Sequence, residues 1–120
     1  MAKKLIERDA LLFEAGDYPD KGISVSVADL DSVINNSGEV PVKIEHVDTA
    51  LDGAMGSVTR LWRKGKQLWG SVSFPDSVWD LITAAKAYRL SVGLNFGETP
   101  SLTEVSIVRH PRVATARIFT

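Results

Sequence analysis

Cysteine is missing from this 120-residue chain, which rules out disulfides and thiolate chemistry and makes a cytosolic setting the best fit. No apolar run approaches the roughly 20 residues that a membrane-spanning helix needs. The N-terminal stretch MAKKLIERDALLFEAG interrupts its apolar positions with Glu7, Arg8 and Asp9, so it does not read as a signal peptide. An excess of charge of one sign is missing too. Fourteen Lys and Arg against 15 Asp and Glu leave a net charge of -1, which supplies no field for nucleic acid. The densest basic cluster, RKGK, falls at a turn. A glycine-rich phosphate loop is also lacking, because Gly53 and Gly56 in LDGAMG have neither the lysine nor the following helix that a nucleotide site requires. Metal types occur together in EHVD, but on a strand Glu45 and His46 point to opposite faces and no second cluster completes a shell. The sequence therefore predicts no cofactor, no metal, no nucleic acid and no membrane partner.

What remains has the make-up of a folded globular chain, 44% apolar and 24% charged. At this length a single domain over 1–120 buries about two-thirds of the surface its unfolded chain exposes. Lys4 to Glu14 reads as a strand, ending in the loop AGDYPDKG, with ISVS a short strand after it. Ser26 caps a helix with Val27, Leu30, Val33 and Ile34 on one stripe and Asp29 three residues after the cap; NNSGE ends it. PVKIEH reads as a strand and DTALDGAMG as a loop. SVTRLWR and QLWGSVSF alternate around KGK, where Gly65 supplies the positive φ of a tight hairpin turn. Pro75 and Asp76 open a second helix whose stripe is Val78, Leu81, Ile82 and Ala85. The strand YRLSVGLNF, the turn GETPS, the strand LTEVSIVRH and a last run VATARIF follow. The expected fold is α+β: a small mixed or antiparallel, β-barrel-like sheet of about six or seven strands with two helices packed on it.

Within YRLSVGLNF, Tyr88, Leu90, Val92, Leu94 and Phe96 share one face and Arg89, Ser91, Gly93 and Asn95 the other. A lone serine there is a candidate nucleophile. Only His46 and His110 offer an imidazole base near neutral pH. His46 shares strand parity with Val42 and Ile44, which sets it at the end of the core-facing row. Glu104, on the face opposite Val105 and Ile107, is a carboxylate able to orient an imidazole and stabilise its cation. Gly93, two residues from Ser91 on the same face, leaves room for a substrate backbone. Each residue also has an ordinary reading: a solvated serine, a boundary histidine, an exposed glutamate, a loop His110. Trp62, Trp69 and Trp79 read as core or interface.

The order of VKIEH, DGAMGSVTRLWRKGKQLWGSVSF, RLSVGL and LTEVSIVRHPRVATARIF resembles the capsid maturation (prohead) proteases of tailed bacteriophages, distant relatives of the herpesvirus assembly proteases. The likeness runs from about LLFEAGDYPDKGISVSVADL to the last strand. Its motifs are a histidine ending a strand ahead of a G-x-V strand, a serine in S-x-G-[FL], and an acidic residue before V-S-[LI]-V leading to proline. Carried over, the resemblance implies His46 as general base, Ser91 as nucleophile and Glu104 as third member, with His110 the fallback because herpesvirus relatives use a second histidine there. It implies an oxyanion arginine after the third-member strand, where Arg109 and Arg112 lie. It also implies a serine endopeptidase acting on phage scaffold and major capsid protein inside the immature head in the host cytoplasm, as a homo-oligomer. One departure stands out: many family members run on into an extra C-terminal region, whereas this chain stops at RIFT. The alternative is a protease-like cement module, silent as an enzyme.

Overall fold

A computed structural model describes residues 4–50 and 54–120. Among these residues, nine strands and two α-helices follow one another as β1 (Leu5–Glu14), β2 (Gly16–Tyr18), β3 (Ile23–Val25), α1 (Val27–Asn36), β4 (Val40–Ile44), β5 (Ser57–Lys64), β6 (Gln67–Pro75), α2 (Asp76–Ala85), β7 (Leu90–Asn95), β8 (Ser101–Ile107) and β9 (Arg117–Ile118). The main sheet has seven strands in the order β7-β8-β4-β5-β6-β1-β9, and β2 pairs with β3 apart from it. It is a mixed sheet, because β4 runs parallel to β8 while the other pairs are antiparallel.

The sheet curls until its two edges meet. β9 pairs with β1 through Ala10↔Ile118 and Leu11↔Arg117. On its other side, Ile118 N donates to Tyr88 O at 2.8 Å, and Leu90 N donates to Ala116 O at 3.1 Å. Covering the edges in this way removes the exposed backbone groups of an open sheet. The α+β, barrel-like architecture with two helices is thus the one expected from the pattern.

Alternation decides which residues fill the interior. Leu68, Val72 and Phe74 of β6, Val58 of β5, Val42 of β4, Val105 of β8 and Val92 of β7 form one buried cluster, which Leu30 and Val33 of α1 and Trp79 and Ile82 of α2 complete. Ser26 caps α1 as its spacing predicts: its hydroxyl accepts from Asp29 N at 3.0 Å, and the Asp29 carboxylate accepts from Ser26 N at 2.8 Å. The β5–β6 hairpin turns at Gly65, φ 58°.

Four expectations are corrected. Leu81 is 72% exposed, because α2 turns Val78, Trp79 and Ile82 to the sheet instead. The loop after β1 contains β2 and a 3-10 turn, Pro19–Lys21. The last strand shrinks to Arg117–Ile118. A bulge between Gly93 and Leu94 breaks the alternation of the YRLSVGLNF strand, whose regular part is Leu90–Asn95. Within the loop DTALDGAMG, Leu51, Asp52 and Gly53 lie outside the described residues. Among those described, no helix is long and apolar enough to cross a membrane.

Candidate active site

β8 lies between β7 and β4, and that neighbourhood brings the candidate residues together. In the β7–β8 register Ser91 faces Ser106 and Gly93 faces Glu104; in the parallel β4–β8 register Lys43 faces Ser106 and Ile44 faces Ile107. Opposed residues put their side chains on one side of a sheet. Ser91, Gly93, Glu104 and Ser106 therefore share the face turned away from the Val42–Val105–Val92 core row. It is not the solvated face that polar residues suggest. Ser91 and Glu104 are each 8% exposed and Ser106 is fully buried.

His46 reaches this face by leaving its strand. β4 ends at Ile44, and Glu45 and His46 both take positive φ, 51° and 61°. Val47 N donates back to Ile44 O at 3.0 Å, closing a tight turn. An extended chain would instead carry His46 level with Arg109, about 17 Å along β8 from Glu104 at the usual rise per residue. The sequence-based placement of His46 in the core-facing row is corrected accordingly. Left-handed backbone costs a non-glycine residue roughly 1–2 kcal/mol, and three contacts to β8 and its exit hold it. Glu45 N donates to Ile107 O at 3.0 Å, Arg109 N donates to the Glu45 carboxylate at 2.8 Å, and His46 N donates to Ser106 Oγ at 3.0 Å.

The turn aims the imidazole at a carboxylate. His46 Nδ1 lies 2.5 Å from Glu104 Oε1, while Ser106 Oγ donates to Glu104 Oε2 at 2.7 Å. With Nδ1 engaged, Nε2 is the ring nitrogen left for another partner, and the His46 side chain is 40% exposed. Gly93 makes this possible. A Cβ there would stand 2.6 Å from Glu104 Oε1 and 2.7 Å from Thr103 Oγ1, so the missing side chain makes room for the carboxylate itself, rather than for the substrate backbone that the sequence suggests.

Comparison with protein-family models, curated proteins and solved structures finds no match to this chain. The chemistry of the site rests on its own residues.

Ser91 stands opposite Ser106 in the β7–β8 register and is not hydrogen-bonded to the His46–Glu104 pair. Among the described residues its hydroxyl makes no hydrogen bond, and no fully buried side-chain polar atom lacks a partner, so the Ser91 Oγ keeps contact with solvent. It lines a depression with Leu12, Phe13, Arg112 and Val113 that is too narrow to hold a water molecule. Of Arg109 and Arg112, it is Arg112 that lines the depression with Ser91. His110 is exposed in the loop after β8. Trp79 belongs to the core, whereas Trp62 and Trp69 are half-buried under Arg60 and Lys64, with Phe119 stacked on Trp69 at 5.2 Å.

Sequence reasoning missed Ser106. Its position two residues after Glu104 on the same strand face was the available signal. It also missed the Glu45–His46 turn, for which Glu and His carry no turn signature.

Proposed function

We propose that the chain is a serine endopeptidase of the phage prohead protease type, with Ser91 as nucleophile, His46 as base and Glu104 as its orienting carboxylate. One observation carries this reading above the others: the 2.5 Å contact of His46 Nδ1 with a buried carboxylate, on the strand next to the one that carries Ser91. A carboxylate on Nδ1 fixes the tautomer that leaves Nε2 able to accept a proton, the arrangement a serine triad requires. The ordered motifs of the sequence supply the second support.

In the proposed reaction Ser91 Oγ attacks the scissile carbonyl carbon while its proton passes to His46 Nε2. Negative charge collects on the carbonyl oxygen, where Arg112 is the nearby cation, and each well-placed donor at such an oxygen is worth about 3–4 kcal/mol. His46 then gives the proton to the leaving amine as the C–N bond breaks; water, deprotonated by His46, attacks the acyl carbon, and His46 returns that proton to Ser91 Oγ as the Oγ–C bond breaks. Catalytic hydrogen bonds are commonly longer in unliganded enzymes and tighten on substrate. Arg112 and Val113 line the depression at Ser91, where the peptide would enter. The proposed substrates are scaffold and capsid-protein segments in the immature head, within the host cytoplasm, and the proposed working state is a homo-oligomer.

The free Ser91 hydroxyl and the narrow depression favour a second reading, a capsid cement module that keeps the serine without using it. Incubation with the cognate scaffold and capsid proteins separates the two. Cleavage that Ser91→Ala and His46→Ala both abolish, with folding intact, supports the peptidase. Capsid binding without cleavage, unaffected by Ser91→Ala, supports the cement module.

A further inference from the structure

Ser106 has no part in the proton transfers above, yet it touches both partners of the histidine–carboxylate pair. It accepts from the His46 backbone N–H at 3.0 Å and lies 2.7 Å from Glu104 Oε2. The direction of the second bond follows from the first. A backbone N–H only donates, so the oxygen of Ser106 is the acceptor there, and its single proton is free for the carboxylate, which only accepts when ionised. The hydroxyl is fully buried, so water does not take over either bond.

We propose that Ser106 is a positioning residue for the reaction, a conclusion that rests on the reading of Ser91, His46 and Glu104 given above. Its one hydroxyl sets the main chain of the base and the rotamer of the carboxylate together. Glu104 divides its oxygens, Oε1 to the imidazole and Oε2 to Ser106, so it does not rotate away from His46 without breaking the second bond. His46, at φ 61°, sits in a conformation its side chain disfavours, and the N–H bond to Ser106 is the hydrogen bond that holds its own amide there. Side-chain rotamers locked by such a supporting contact keep a constellation within productive geometry.

The test reads the imidazole directly. The chain has two histidines, so in nitrogen–proton spectra of the 15N-labelled full chain His110→Ala assigns the His46 signals. The unmodified protein is expected to show a proton on His46 Nδ1, protected from exchange. In Ser106→Ala that protected signal is lost or averaged between tautomers, and the rate of Ser91 acylation by a peptide ester falls about 10- to 100-fold, through kcat more than KM, as for a displaced catalytic group. Ser106→Thr, which keeps the hydroxyl, retains the signal. A folded Ser106→Ala protein with an unchanged His46 Nδ1 proton overturns the proposal. Should that variant not fold, amide exchange in the unmodified protein decides: protection of the His46 N–H supports the bond to Ser106, and exchange at the rate of a free amide overturns it. If the spectra change as expected but the unmodified chain acylates nothing, Ser106 still positions the pair and the peptidase reading fails.

Discussion

Nδ1 of His46 and Oε1 of Glu104 meet at 2.5 Å although the first residue lies beyond the end of β4 and the second lies in the middle of β8. The meeting depends on a two-residue turn of positive φ that folds the histidine back along its parallel neighbour. A local backbone departure thus produces the one close pairing of an imidazole with a carboxylate in the described residues.

Glu104→Gln keeps the volume of the side chain and removes its charge. The amide nitrogen also competes for the wrong tautomer of His46, and the loss in kcat is expected to be on the order of 10²–10⁴. His110→Ala is expected to leave kcat unchanged, since His110 is exposed in the loop after β8. Steady-state kinetics on the two variants decides which residue is the third member. The reverse ranking would make His110 that member.

Gly93→Ala is expected to act on the carboxylate. Its Cβ would meet Glu104 Oε1 at 2.6 Å and Thr103 Oγ1 at 2.7 Å, so Glu104 has to give way. Overpacking of this kind costs about 1–3 kcal/mol. Denaturant midpoints measure that loss, and the loss of the His46 Nδ1 proton signal shows that the carboxylate has moved.

Tyr18 predicts an alkaline limit to stability. Burial holds its phenol above the ordinary value of 10.0; the Glu14 carboxylate adds to this and the Arg112 guanidinium opposes it. The neutral phenol is the form the fold favours. Its contribution is therefore complete below the unfolded value and is lost as pH rises through the higher folded value. Tyr18→Phe also removes the 2.6 Å bond that the phenol donates to Glu14 O, worth about 0.5–1.5 kcal/mol at neutral pH. Urea unfolding across the alkaline range should give Tyr18→Phe a shallower decline than the unmodified chain.

Much of the fold is legible in the sequence because it follows from local chemistry. The Ser26–Asp29 capping box and the Gly65 hairpin each need only neighbours in the chain. What depends on remote partners is less legible. The stripe of α2 allows Leu81 or Trp79 to face the sheet, and packing against Phe74 and Tyr88 selects Trp79. Ile82→Ala should consequently cost about 2–5 kcal/mol, and Leu81→Ala no more than about 0.5 kcal/mol, in denaturant unfolding. At the site, the pattern places Ser91, Gly93, Glu104 and Ser106 by strand parity, as β7 and β8 pair them. It does not anticipate the burial of Ser91, Glu104 and Ser106, or the Glu45–His46 turn, which contacts to Ile107, Ser106 and Arg109 hold against local preference.

The most direct measurement is covalent modification of Ser91 by a fluorophosphonate, located by peptide mapping, in the unmodified chain, His46→Ala and Ser91→Ala. A serine activated by the His46–Glu104 pair takes up the probe stoichiometrically at Ser91, and His46→Ala abolishes the reaction while the protein stays folded. Absence of modification in the unmodified chain, or modification that His46→Ala leaves unchanged, contradicts the proposed role of Ser91 as an activated nucleophile.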